Sequence, residues 1–336
     1  MKAVVFNGVN EPLSVETLPD PAPADGEVVI KVARCGVCGT DVHATNGHGK
    51  IMAPGAQFGH EFAGEVVAVG RGAERFKLGD VISGMPSYGC GKCEYCATGI
   101  NFLCPERQSC GKALAEYCRV PERNAVLVPG SVAPKDGALI EPLAVGKRGV
   151  RLLAPRPETR ALVIGPGPIG LGVIFWLQRA GVRRIAVLAS STRRKGMVET
   201  LGVEGFVVEG PDARAEIEAR LGGPPDMVFE AAGVPGVVAR SIELVAPAGQ
   251  IMALGFCGKP ETFIPAHAVA KDVTVRFSIT YTLEDYQACA DALEDGADRL
   301  RIMVSEVVPL ADFPAAFEPL RRGQAAGGKL VCDPWL

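Results

Sequence analysis

The chain has 336 residues, 48% of them hydrophobic and 22% charged, which is enough apolar material for a sizeable core, suggests two domains by length, and excludes a disordered protein. A formal net charge of −3 without a basic tail or basic helix removes the electrostatic case for nucleic acid or an anionic membrane as partner and leaves small-molecule chemistry. Eleven cysteines, an odd number in a long chain, point to thiolate chemistry rather than a disulfide framework.

The opening residues, MKAVVFNGVNEPLSVE, read as a short strand and turn, not as a charged region followed by an apolar export segment. The longest apolar stretches, such as the one ending at Trp176, are broken by Gly and Pro and too short to span a bilayer, so a cytoplasmic protein is expected. Residues 1 to about 130 are rich in Gly and Pro, with β-branched runs at Glu27–Val32 and Gly64–Val69, the pattern of an antiparallel barrel-like fold. Cys38 in CGVCGTDVH, His60 and Glu61 in GHEFAGEVVAVG and, further on, Glu141 in LIEPLAVG are candidate ligands of a catalytic zinc. A soft thiolate, an imidazole and a carboxylate hold the ion and leave one position for water or a substrate oxygen. Taken singly, each has a blander reading: a lone histidine is more often a satisfied core or surface group, and GHE is equally a strand end.

Cys90, Cys93, Cys96 and Cys104 follow in GCGKCEYCATGINFLC, a C-x2-C-x2-C-x7-C spacing that suits a closed tetrahedral structural zinc. A nucleic-acid-binding zinc ribbon would need more basic residues than Lys92. Cys110, Cys118, Cys257, Cys289 and Cys332 are scattered and read as small buried hydrophobes.

From about residue 150 the rhythm becomes βαβ, with apolar strands at Ala161–Ile164, Ile185–Leu188, Met227–Glu230 and Gln250–Leu254. The first runs into GPGPIGLG, where Gly165, Gly167 and Gly170, with Pro168 and Ile169 between them, form GxGxxG at a helix start. The glycines allow the tight turn, the approach of a pyrophosphate, and close helix packing. At the end of the second strand an NAD site would place Asp or Glu; Ala189, Ser190 and Ser191 stand there, followed by Arg193 and Arg194. Small hydroxylated residues leave room for a 2′-phosphate and the arginines supply charge-assisted bonds to it, so NADP is expected over NAD; the blander reading makes them solvated residues at a helix start. A helix at Leu283–Gly296 and a strand at Lys329–Cys332 complete the chain.

In order along nearly the whole chain, CGVCGTDVH, GHEFAGEVVAVG, the four-cysteine lobe, EPLAVG, GPGPIGLG and EAAGVPG resemble the zinc-containing medium-chain alcohol dehydrogenase superfamily, its polyol (sorbitol) and threonine dehydrogenase branch in particular. The resemblance implies an α/β plus β protein. Its GroES-like, partly barrel-shaped catalytic domain would comprise 1–148 and 276–336, with a Rossmann doubly wound parallel-sheet domain inserted at 149–275 and the active site in the cleft. It implies hydride transfer between NAD(P) and an alcohol or carbonyl substrate, a secondary alcohol or polyol, with one catalytic and one structural zinc, in a homodimer or homotetramer. The family pattern of Cys, one residue, Thr or Ser, then Asp selects Cys38 over Cys35 as ligand and leaves Cys35 to the core. In this branch either Glu61 or Glu141 approaches the metal. Thr40 and His43 match the family's proton relay, which passes the substrate proton by way of the cofactor ribose to a histidine near solvent, and Asp41 buttresses the site. His48, in the Gly-rich ATNGHGKIMAPG segment, is expected to be exposed.

Two departures bear on the substrate: a short connection, Pro105–Ala113, between Cys104 and LAEY, and Ala44 where polyol enzymes carry an aromatic residue. A zinc-free quinone or enone reductase accounts for GPGPIG but not for Cys38, His60 or the cysteine lobe. A non-catalytic NADPH-binding sensor would show no zinc-dependent turnover.

Overall fold

The computed structural model describes residues 1–48, 52–324 and 327–336; the middle of ATNGHGKIMAPG lies outside them. The backbone divides into two compact units, Met1–Glu141 with Tyr281–Leu336, and Pro142–Thr280.

In the first unit the organising element is the ten-residue strand Glu27–Gly36. Its β-branched run favours a pleated, half-buried surface, with Val28, Ile30 and Val32 fully buried and Lys31 facing out. Three strands pair with it, Glu61–Val69, Tyr117–Pro121 and Lys329–Asp333, all antiparallel, within a seven-stranded sheet. Register shifts between Val29 and Ile30 and between Val32 and Arg34 interrupt the ladder with Glu61–Val69; such irregularities increase local twist and curl a sheet toward a barrel. Beyond the second shift Gly36 stands opposite Glu61, and on the other flank Cys35 stands opposite Cys332. Phe6, Phe62, Ile82, Leu114, Phe313 and Phe317 fill the core, each worth roughly 1.5–3 kcal/mol of burial.

The helix expected at Leu283–Gly296 runs Leu283–Leu300. Its start is fixed by a capping box in which Thr282 Oγ1 accepts from the Asp285 N–H at 3.1 Å and Asp285 Oδ2 accepts from the Thr282 N–H at 3.2 Å. Just ahead of it, Tyr281 stacks on Tyr286 at 5.2 Å, and the Tyr286 hydroxyl is bonded to Ser83 at 2.7 Å. Both tyrosines are buried.

The second unit is a six-stranded, wholly parallel sheet in the order Gly205–Val208, Arg184–Ala189, Arg160–Ile164, Met227–Glu230, Gln250–Ala253, Thr274–Phe277. Numbered along the chain the order is 3-2-1-4-5-6, which places a topological switch between Arg160–Ile164 and Met227–Glu230, where such sheets bind dinucleotides. Cys110, Cys118, Cys289 and Cys332 are buried as expected, but Cys257 is exposed, because it sits on the loop that follows Gln250–Ala253 rather than in a strand. No helix among the described residues is long and apolar enough to cross a membrane.

Candidate active site

The lobe around Cys90 has little regular structure: a single helical turn, Glu94–Ala97, and the 3-10 turn Asn101–Leu103. Even so, the sulfurs of Cys90, Cys93, Cys96 and Cys104 all lie within 4.8 Å of one another. Backbone N–H groups of Cys90 and Gly91 point at the Cys104 and Cys96 sulfurs, at 3.3 and 3.4 Å, as suits thiolates. The Lys92 backbone N–H pulls the Cys90 thiol down to about 7. A side chain at Gly89 would strike the Cys96 sulfur, its Cβ falling 2.3 Å away. Four thiolates in a tetrahedral cage fit a closed zinc site.

The second group of ligand atoms within 4.8 Å of one another is Cys38, His60 and Glu61. Cys38 is the N-cap of the helix Gly39–Thr45, and its N–H donates to Asp41 Oδ2 at 3.0 Å. The other Asp41 oxygen lies 3.3 Å from His60 Nδ1, which orients the ring and leaves Nε2 for a metal, the usual arrangement of a metal-binding histidine. Burial opposes an imidazolium here, yet the Asp41 carboxylate and the Cys38 thiol hold the His60 proton well above its ordinary range. Glu61, opposite Gly36, is 1% exposed and receives a bond from Lys329 Nζ, which also donates to the Val37 carbonyl at 3.1 Å. A Cβ on Gly36 would fall 2.4 Å from Glu61 Oε2, so only glycine admits this ion pair.

Glu141 is outside that triad but close enough for its charge to be felt. Burial raises its carboxyl, with His60 opposing and Glu61 adding to the rise. Its Oε1 accepts from the Tyr281 hydroxyl at 2.7 Å. Thr40 and His43, three residues apart on one helix, are both exposed, as is His48, whereas Ala44 and Cys35 are buried.

In the second unit Gly165 has φ +91°, and a Cβ there would lie 2.9 Å from the Ala232 backbone. Gly167 is the N-cap of the helix Pro168–Arg179, with Pro168 in its first turn and Ile169 half-buried behind it. A Cβ at Gly170 would fall 2.1 Å from the Gly165 carbonyl. The turn, the open approach and the tight helix packing of a dinucleotide site are therefore each present. Ser190, Ser191 and Arg193 are exposed just past Arg184–Ala189, and the half-buried Arg194 reaches back toward Gly167, whose added Cβ would be 3.7 Å from its guanidinium. Burial and then the neighbouring Arg193 lower the Arg194 pKa.

Residues 24–130 match the alcohol dehydrogenase GroES-like domain and residues 168–295 the zinc-binding dehydrogenase family. An L-threonine 3-dehydrogenase from Bacillus velezensis is 31% identical over 99% of both chains. The chain belongs to the zinc-dependent medium-chain alcohol dehydrogenases. Two solved proteins of similar fold carry cofactors: an Escherichia coli protein described as a short chain alcohol dehydrogenase, with NADH (TM-score 0.89, 26% identity, 99% of both chains), and a Sinorhizobium meliloti protein assigned as a zinc-binding dehydrogenase, with NADP (TM-score 0.89, 29% identity, 99% of both chains). As a medium-chain alcohol dehydrogenase, the chain is an NAD(P)-linked oxidoreductase acting on a CH–OH donor or its carbonyl.

Two residues beside the triad of this dehydrogenase had no sequence motif to announce them. Lys329 heads the strand Lys329–Asp333 with 4% exposure, and Tyr281 precedes the capped helix. A lysine running directly into the apolar LVC of a buried strand is the one signal that could have found the former.

Proposed function

We propose that Cys38, His60 and Glu61 hold the catalytic zinc of a dehydrogenase for secondary alcohols or polyols and that Cys90, Cys93, Cys96 and Cys104 hold a structural one. The observation that carries this reading is the convergence of a thiolate, an imidazole and a carboxylate within 4.8 Å, a donor set that leaves a coordination position open. Bound there, zinc supplies Lewis-acid polarisation of the substrate oxygen, while the dinucleotide supplies the hydride acceptor or donor. Asp41 fixes the His60 tautomer, and Lys329 keeps the Glu61 charge compensated. Thr40 would accept the alcohol proton at its hydroxyl oxygen as it hands on its own hydroxyl proton, and His43, on the same helix, would be the end of that relay and return the proton to solvent. Glu141, held by Tyr281, stands as the alternative carboxylate. The glycine turn at 165–170 takes the pyrophosphate. Ser190, Ser191, Arg193 and Arg194 favour a 2′-phosphate and hence NADP.

The edge strand Thr274–Phe277 supports a homo-oligomer. Phe277 on that strand is 73% exposed and Val269, which ends the preceding helix Pro265–Val269, is 79% exposed, and an unpaired edge of this kind is closed by a second copy adding its own strand. The test is metal analysis together with NADP and NAD turnover on secondary alcohols, polyols and aldehydes. Two zinc ions per chain with NADP-linked oxidation of a secondary alcohol are expected. One zinc and no alcohol oxidised would overturn the reading.

A further inference from the structure

The EAAGVPG segment opens with a carboxylate that the reaction does not use. Glu230 ends the strand Met227–Glu230, in register with Ile164 on one side and Ala253 on the other, so it stands at the switch point of the sheet. It is 3% exposed. Burying a carboxylate is costly unless its oxygens are bonded, and here they are: Oε1 accepts from the N–H groups of Ala232 and Gly233, both at 2.7 Å, and Oε2 from the N–H of Gly255 at 3.2 Å. The donors belong to two different loops, those leaving the fourth and fifth strands of the sheet. The same loops touch backbone to backbone, since a Cβ on Gly255 would fall 2.3 Å from the Gly233 nitrogen and one on Gly233 2.9 Å from the Phe256 nitrogen. The first of them also lies against Gly165, through Ala232.

In a 3-2-1-4-5-6 sheet a dinucleotide crosses the switch, with its adenosine half over the second strand and its other half over the fourth and fifth. Ser190, Ser191 and Arg193 mark the adenosine side of this chain. We propose that Glu230 is a positioning residue that locks the two loops beneath the nicotinamide half into one rigid rim, and so sets affinity for the nicotinamide end without touching the adenosine end. The inference rests on dinucleotide binding across that switch. A glutamine at 230 turns an amino group toward N–H donors and frees one loop from the other, whereas an aspartate keeps the charge but is one methylene too short to reach both.

Calorimetric titration of the full-length, zinc-loaded Glu230→Gln and Glu230→Asp variants with NADPH, 2′,5′-ADP and ADP tests this, with kcat and KM measured alongside. Loss of a charge-assisted bond corresponds to about a tenfold weaker NADPH Kd in Glu230→Gln, with 2′,5′-ADP held as in the wild type, KM for NADP raised more than kcat is lowered, and Glu230→Asp in between. Retained binding of the adenine fragment also reports that the unit is folded. Equal weakening of NADPH and 2′,5′-ADP, or unchanged NADPH binding, overturns the proposal. In a wild-type protein that takes ADP and NADH instead, the same comparison is made on that pair, which separates the role of Glu230 from cofactor preference.

Discussion

Exchanging Cys38 for Ser or His60 for Ala removes one of the proposed zinc ligands while leaving the whole glycine turn untouched. Turnover is expected to fall at least about a hundredfold, the scale of losing several kcal/mol of charge stabilisation, with NADPH binding near that of the wild type in fluorescence titration; wild-type turnover would take the metal out of the chemistry. These donors were legible because soft and hard ligands stand in motifs of fixed spacing. What surrounds them was not, since Lys329 and Tyr281 reach Glu61 and Glu141 from 268 and 140 residues away in sequence. Lys329→Met leaves Glu61 buried without its cation, a change that costs about 3–5 kcal/mol. Urea denaturation should show the loss most fully after zinc is stripped, because the metal otherwise compensates the same charge, and equal stability of variant and wild type would make the pair inert. The His60 proton carries a pH dependence of its own. Its folded pKa is raised above the unfolded value of 6.5, so in the stripped protein its stabilisation is complete below that value and is lost as pH rises through the raised folded pKa. Zinc requires the proton to leave. The melting-temperature gap between loaded and stripped protein should therefore widen from about pH 6.5 upward, and Asp41→Asn should flatten that widening.

At the scale of elements, the four-cysteine lobe has almost no regular structure to stand on, so the proposed zinc is expected to supply its order. Cys93→Ser should release one zinc per chain and lower the melting temperature before it alters kcat, as metal analysis and thermal scans would show; an unchanged melting temperature would deny the lobe a structural ion. The apolar strands of the parallel sheet were readable to within a residue at their ends, whereas the runs Glu27–Val32 and Gly64–Val69 stop short of the strands Glu27–Gly36 and Glu61–Val69 that contain them. Met227–Glu230 falls where its run of apolar residues puts it, and Gln250–Ala253 stops one residue earlier. Thr274–Phe277 escaped a pattern reading because it is an edge of the parallel sheet; Gly205–Val208, the other edge, was passed over although it is largely buried. An edge strand is covered on fewer sides, and TVRF, largely exposed, has no apolar period to detect. The interrupted register of Glu27–Gly36 was equally hidden, because a pairing offset belongs to the ladder it makes with Glu61–Val69 and to neither strand's sequence alone.

For the whole molecule, the same edge that blurred the pattern predicts association. Phe277→Asp places a charge on the exposed strand and should shift the protein toward monomer in sedimentation velocity, leaving zinc content unchanged; an oligomer of unaltered size would locate the interface elsewhere.

The bond from Tyr281 to Glu141 has a second meaning. Those two residues are the last of the first unit before the chain leaves it and the first after it returns, so one hydrogen bond at 2.7 Å clasps the neck of an insertion running from Pro142 to Thr280. A segment whose two ends are pinned side by side can be lifted out and replaced by another, or bridged by a few glycines, with little entropic cost to the host. The protein is in this sense a cassette holder, and the clasp sits on Glu141, whose carboxyl also feels the charges of His60 and Glu61.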